Sequence, residues 1–579
     1  AANVFSRLDA NNNQLIPFVG REAETGLLRE KWHKVQAGEG QIVLLSGDAG
    51  IGKSRLVHCL KEYASRNSEF QLIELRSSPY HQTSSFYPII DFLEHTVFQF
   101  EKNEEGDEKL AKIERFLKQF PMALADSVPL IAALLSIPLT EGYTLPAITP
   151  QRQKQKTIEL LNAIFLHQAD QKPVLFIHED LHWIDPSSLE IIDQLIQTCG
   201  QHKILVVLIY RPHFKPAWQP RGNMCAIELA GLSETNASEI IDRISKAKAL
   251  PSEAVKRIIE KTDGIPLFLE ELTKSVIESG MLVDKGDKYE LSAAFHSLGI
   301  PATIQDSLTA RLDRYPQAKQ VAQLASAIGR EFSYSTLASI PGEHRENLPR
   351  YLNTLVEAGI LFAHGSPADT LYSFKHALIQ DTAYSSLLKS ARKSYHKLIA
   401  ESIEATSPEL VETQPELIAQ HYTKAAENEK AISFWLAAGL RALQHSANLE
   451  SIAHLKQGLE LVASVSENSL RISFEMQLYS TLGPAIIATR GFGDTEVGDT
   501  YQKLSELPQL PGNKPHVKVA LWGQWVYSLV RGNLATAHTF ALEMQQTGQE
   551  TNDTGMLVEG HWMLGDTLFW LANFDTAQQ

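Results

Sequence analysis

The chain has 579 residues, 44% hydrophobic and 21% charged, and its 53 Lys and Arg against 68 Asp and Glu give a formal net charge of −15. That length implies three or four domains with sizeable cores, and the mix excludes a disordered chain, a collagen-like repeat and a disulfide-stapled mini-protein. There is no run of about 18 uninterrupted apolar residues, so no membrane span is expected, and the acidic balance argues against nucleic acid as a partner of this fragment.

Residues 1–17, rich in Asn and Ala and without the apolar core of a signal peptide, read as a linker in a cytoplasmic protein. Cys59, Cys199 and Cys225 show no metal or redox spacing and fit reduced thiols. From Phe18 to about residue 228, β-branched runs at Ile42–Leu45, Phe70–Leu75, Val174–His178 and Ile204–Tyr210 alternate with helical patterns. This alternation predicts βαβ units and a mostly parallel sheet with helices on both faces. The acidic run Glu101–Glu108 is expected to be a solvated loop.

Within that region Gly47-Asp48-Ala49-Gly50-Ile51-Gly52-Lys53-Ser54 matches G-x-x-x-x-G-K-[ST] in full, with an apolar strand before it and a helical pattern from Arg55 after it. Glycines let backbone N–H groups wrap phosphates, and the helix N-terminus adds a positive field. Lys53 is expected at the β- and γ-phosphates of ATP or ADP, and Ser54 on Mg²⁺. The apolar run ending in Glu179 and Asp180 supplies acids: Glu179 for the magnesium side and Asp180 to polarise the attacking water, or the two exchanged.

The same stretch spells H-E-x-x-H from His178 to His182. Two histidines chelate one zinc at that spacing only on a helix, where they are about 6 Å apart. On a strand they are about 13 Å apart, and the apolar residues before them and Pro186 after them favour a strand and turn. Arg211 ends the last β-branched run, either as a sensor of the γ-phosphate or as a surface Arg in a Pro-bounded turn. Residues 229–296 read as a helical lid, where Pro266 either packs on adenine or merely opens a helix. Strand signals nearly vanish after Leu229. Helices and a hairpin over Gly359–Phe374 suggest a winged-helix domain at 297–405. In it His376 faces a diphosphate or is an interior imidazole, and Lys389–Lys397 forms an exposed basic helix face. Residues 406–579 read as helix pairs. Trp435, Ala438, Gly439, Ala442, Ser451, Leu455 and Gly458 fit tetratricopeptide spacing, with weaker units around Gly532–Ala537 and Leu564–Ala577. Ending inside a repeat, the chain is expected to be part of a longer protein.

Phe18-Val19-Gly20-Arg21-Glu22, the Glu179–Pro186 stretch and Tyr210-Arg211-Pro212 resemble the STAND signal-transduction ATPases, relatives of the AAA+ fold that act as nucleotide-controlled switches. Ser77–Gln82, Ala310–Arg314, Gly329-Arg330-Glu331-Phe332, Phe374–Leu378 and Ser446-Ala447-Asn448-Leu449-Glu450 look like the region after the catalytic domain of bacterial multidomain adenylate/guanylate cyclases. The resemblance implies that Val19, Gly20 and Arg21 lie near adenine and ribose, Arg211 is sensor 1, Gly264 and Pro266 close over the base, and His376 meets the β-phosphate of ADP. Arg55, Arg311 and Arg314 are further candidates for phosphate contacts. The chain departs from the pattern at Ile209, where Thr is usual, and at Glu179, where Asp is commoner. It shows no cyclase domain, and its start at Ala1 fits a beginning just after one.

The expected function is a slowly hydrolysing ATPase switch. ADP would hold it closed against the winged helix. ATP, with a protein signal sensed through the repeats, would favour an open form that oligomerises or releases an attached output domain, a nucleotide cyclase. The alternatives are a transcription regulator of the same class with its DNA-binding domain beyond residue 579, and a repeat scaffold whose nucleotide is structural.

Overall fold

The computed structural model describes residues 18–101, 104–140, 142–245, 248–278, 281–292, 303–364, 370–508 and 514–578. The expected linker at 1–17, the boundary near 297 and Pro301 lie outside them. Five parallel strands, β1 (Gln41–Gly47), β2 (Gln71–Arg76), β3 (Val174–Glu179), β4 (Ile204–Tyr210) and β5 (Met224–Leu229), form one sheet in the order β2-β3-β4-β1-β5. Alternate residues feed two cores. Ile42, Leu44, Phe176 and Leu208 pack with Ile158, Leu161, Ile191 and Leu195 of the helices Pro150–Gln171 and Pro186–Thr198. Val43, Leu45, Ile177 and Val207 pack on the other face with Leu28 and Trp32 of α1 (Glu22–Gln36) and Leu56 and Leu60 of α2 (Lys53–Asn67). Each buried aliphatic contributes about 1.5–3 kcal/mol, which is why β3 and β4 read as continuous apolar runs.

The α/β unit leads into helices Glu234–Ile244, Ser252–Thr262 and Pro266–Glu278, followed by a short antiparallel hairpin of β6 (Leu282–Asp284) and β7 (Tyr289–Leu291). This hairpin corrects the expectation that strands nearly vanish after Leu229, and β5 is a strand the sequence pattern does not mark. β5 is a sheet edge whose Met224, Cys225, Ala226 and Glu228 are not buried, so it lacks the apolar run that marks a central strand. Next come Ile304–Asp313, opened by a Thr303–Asp306 capping box, Pro316–Ile328 and Leu348–Glu357. With them, β8 (Glu331–Ser333), β9 (Leu361–His364) and β10 (Leu371–Phe374) form an antiparallel sheet ordered β8-β10-β9. This is the winged-helix arrangement, with β9 and β10 as the expected hairpin. One core runs from Leu308 through Phe374 and Ile399 to Tyr422 and Trp435, so the winged helix and the first repeat helices are packed as a unit.

Beyond it lie successive packed helices from Asn428–Gln444 and Asn448–Val462 to Leu534–Thr551 and Thr554–Trp570. Glycines let them approach closely. A methyl group at Gly439 would lie 2.5 Å from Leu455, and one at Gly458 2.9 Å from Leu478. The buried Tyr501 ring passes between Gly483 and Gly523, where added Cβ atoms would come within 2.3 and 2.2 Å of it. No described helix is long and apolar enough to cross a membrane.

Gly→Ala in a helix ordinarily stabilises by about 1 kcal/mol. Gly523→Ala is expected to reverse that sign and destabilise by about 1–3 kcal/mol, because the Tyr501 ring has nowhere to go. Denaturant unfolding of the two proteins checks it.

Candidate functional site

Parallel pairing places the carboxyl ends of the strands along one edge. Register then decides which side chains meet there. Ser46 pairs with Tyr210, which sets Arg211 beside Gly47, and Arg76 pairs with Glu179. Between β1 and α2 the loop turns through Gly47, Gly50 and Gly52, all at positive φ. Gly50 also has a packing reason to be glycine, since a Cβ there would lie 2.9 Å from Leu267 at the start of the helix Pro266–Glu278.

Lys53 opens α2 and donates from Nζ to the carbonyls of Gly47 and Asp48 at 2.6 and 2.9 Å. Burial pulls its pKa down to about 8, with Arg211 acting in the same sense and Asp180, Asp48 and Glu179 opposing. Ser54 is exposed and Arg55 half-buried in the same turn, which holds no acid. A positive-φ loop, a helix start free of carboxylates, one ammonium, one hydroxyl and two acids are the donor set a magnesium polyphosphate requires, so the residues present fit that group.

Glu179 ends β3. Asp180 follows in the left-handed region at φ 55, which turns the chain into the short helix Leu181–Trp183. Both acids are gripped by arginines. Arg76 lies 2.9 Å from Glu179 and also 3.0 Å from Glu331 of β8. Arg330, the residue before β8, reaches Asp180 at 3.0 Å. Arg211 lies with its guanidinium 5.0 Å from the Trp183 ring. In the sequence Arg330 stands within Gly329-Arg330-Glu331-Phe332, and Arg76 carries no motif of its own. Neither target was readable without knowing that β2 neighbours β3 and that the wing docks on this edge.

The lid closes over the loop. Leu267 N–H donates to the Gly50 carbonyl at 3.2 Å, and Gly264 meets Leu232 so closely that a Cβ would lie 2.4 Å from its carbonyl oxygen. Pro266 therefore both opens its helix and sits at the loop. Val19 packs with Ala237 and Ile240 of the lid, Gly20 abuts Asn236, and Arg21 bonds Glu24 and the Ala230 carbonyl. His376 begins the helix Ala377–Ser385, half-buried and within Coulombic reach of Glu270 on the lid. Arg311 and Arg314, candidates for phosphate contacts, are ion-paired instead with the lid carboxylates Glu271 and Glu278. The zinc pattern is divided between strand and turn. His178, on β3, is buried and bonded to Ser77 Oγ at 2.9 Å, and among the described residues no group of three or more His, Cys, Asp or Glu could hold a metal.

Residues 17–208 match the family model of the AAA ATPase domain. The chain carries an AAA-type ATPase module. An uncharacterized protein of Rhizobium meliloti (strain 1021) is 25% identical over 551 residues, covering 93% of this chain and 51% of that protein, so the chain spans about half the length of the curated relative it matches. Among solved structures, a signal transduction ATPase with numerous domains and a tetratricopeptide repeat sensor from Pyrococcus horikoshii is similar at a TM-score of 0.42 and 11% identity, covering 100% of this chain and 83% of that one. Cdc6p from Pyrobaculum aerophilum is similar at 0.29 and 14%, covering 68% and 98%.

Burial holds the histidines around the ATPase module and its junctions neutral, lowering His178 and His396 to about 3 and His81, His182 and His454 to about 4. In the unfolded chain each titrates near 6.5, so below that pH the unfolded state binds more protons. The histidines' contribution to stability is therefore full above about pH 6.5 and falls as pH drops toward 4, with a slope of up to one proton per histidine. Denaturant unfolding at stepped pH is expected to show this, with His178→Asn reducing the slope by about one proton.

Proposed function

We propose that this chain is the regulatory module of a longer signalling protein. It binds ATP and ADP at the Gly47–Ser54 loop, hydrolyses ATP slowly, and uses the difference between the two nucleotides to set whether the winged helix is docked. Lys53 and the loop amides bind the phosphates, Ser54 and Glu179 are the residues that would hold Mg²⁺, and Asp180 accepts the proton of the attacking water. Magnesium, when bound, supplies charge neutralisation at the phosphates. Arg211, Pro266, His376 and the Val19–Arg21 turn complete the nucleotide's surroundings.

The observation that carries this reading is the ion pair from Arg330 of the winged helix to Asp180. A carboxylate oxygen engaged by a guanidinium is not free to accept the proton of an attacking water, so a docked wing keeps turnover low. Nucleotides act on such a switch only through their differential affinity for docked and undocked forms. The resemblance to cyclase-linked regions supports a cyclase as the attached output, with the helical repeats as the surface for a protein signal.

Lys53→Ala is expected to abolish ATP and ADP binding in calorimetry, and unchanged affinity would refute the loop assignment. Arg330→Ala is expected to raise basal turnover by about tenfold while Asp180→Asn keeps binding and loses hydrolysis. Equal rates in wild type and Arg330→Ala would sever the wing from the chemistry. No measurable turnover in either would favour a structural nucleotide.

A further inference from the structure

The helix Pro186–Thr198 of the ATPase module begins with two adjacent backbone N–H groups that are each taken by a different carboxyl group. Ser188 N–H donates to Asp185 Oδ1 at 2.8 Å, the ordinary N-cap bond. Ser187 N–H donates at 2.9 Å to Oε1 of Glu450, which arrives from the repeat helix Asn448–Val462, 263 positions along the chain. Asp185 Oδ1 accepts a further bond from Phe86 N–H at 2.8 Å. Neighbouring amides of one helical turn lie only a few ångströms apart, so the two carboxyl groups are forced together.

Both are sealed from water. Asp185 is 0% and Glu450 1% exposed, and Asp185 Oδ2 and Glu450 Oε2 are buried with no hydrogen-bond partner. The elements packed around them bring no compensating charge. Lys154, 5.8 Å from the Phe86 ring, is ion-paired with Glu190. Arg441 donates to Ser136 Oγ. His454, one turn along from Glu450, is kept neutral by burial, and the buried Glu416 is bonded to Ser84. Two ionised carboxylates in such a place repel each other without solvent to screen them, whereas one proton between them satisfies both idle oxygens.

We propose that Asp185 and Glu450 share a single proton, and that this proton clasps the first helical repeat onto the ATPase module. Docking then takes up a proton that the separated, hydrated carboxylates release. Burial, with Glu450 beside it, pushes Asp185 up to about 7. Separated carboxyl groups titrate at about 4, so the clasp is strongest below about pH 4, weakens about tenfold per pH unit as pH rises toward 7, and levels off above that. The inference is independent of nucleotide.

The test uses the whole chain without nucleotide, from about pH 5 to about pH 9. Infrared spectroscopy is expected to show a protonated-carboxyl C=O band that disappears near pH 7 and is absent from both Asp185→Asn and Glu450→Gln. Amide exchange over residues 186–190 and 448–462, corrected for its intrinsic pH dependence, is expected to rise by up to about tenfold per pH unit between about pH 5 and pH 7 in wild type and to level off above 7. In Glu450→Gln it should be flat, because the amide still accepts from Ser187 and now donates to Asp185. Should Glu450→Gln fail to fold, the wild-type band and Asp185→Asn decide. Absence of the band, an unchanged pH profile in the variants, or protection that depends on added sodium or magnesium ions would overturn the shared proton.

Discussion

Two strand pairings determine where every charge of the site stands: Ser46 against Tyr210, and Arg76 against Glu179. Each is enforced along its strand by buried aliphatics that point alternately to the two cores, so a slip of one residue would turn both faces inside out. From the first pairing comes an arginine beside the phosphate loop. The second provides a cation for the acid that ends β3. The geometry of the candidate site is a by-product of hydrophobic register, and the polar groups at the sheet edge are placed by residues that never touch them.

The parts of this arrangement legible in the sequence are those whose physics is local. A glycine-rich turn between an apolar run and a helix declares itself within a dozen residues, and the three central strands stand out because burial on both faces demands unbroken aliphatics. β5 escaped because an edge strand half open to solvent tolerates Met, Cys, Ala and Glu, and the lid hairpin escaped because its strands are three residues long. Arg330 stood in a recognisable Gly-Arg-Glu-Phe stretch, but its target lies 150 positions away. Glu450 is further still from its partner. Contacts of that range are set by how domains dock, and nothing in a periodicity reports docking. The same limit explains Arg311 and Arg314, whose spacing permitted a phosphate role while the fold pairs them with lid carboxylates.

Two of the places where the rest of the chain touches the ATPase module are chemically different. Near the acids the contact is between opposite charges, guanidinium to carboxylate, and is weakened by salt. At the start of Pro186–Thr198 it is between like groups made compatible by a proton. The continuous core from Leu308 to Trp435 ties the two places mechanically, since the wing and the first repeat helices cannot move far apart without opening it.

Arg330 and Glu331 are consecutive residues with opposite errands at the sheet edge. Arg330 holds Asp180, whereas Glu331 draws on the same guanidinium of Arg76 that grips Glu179. If that one turn of the wing withdraws, Asp180 loses its jailer while Arg76 loses the rival suitor that divided its attention. One displacement thus loosens Asp180 and tightens the grip on Glu179, making the two acids distinguishable by motion alone.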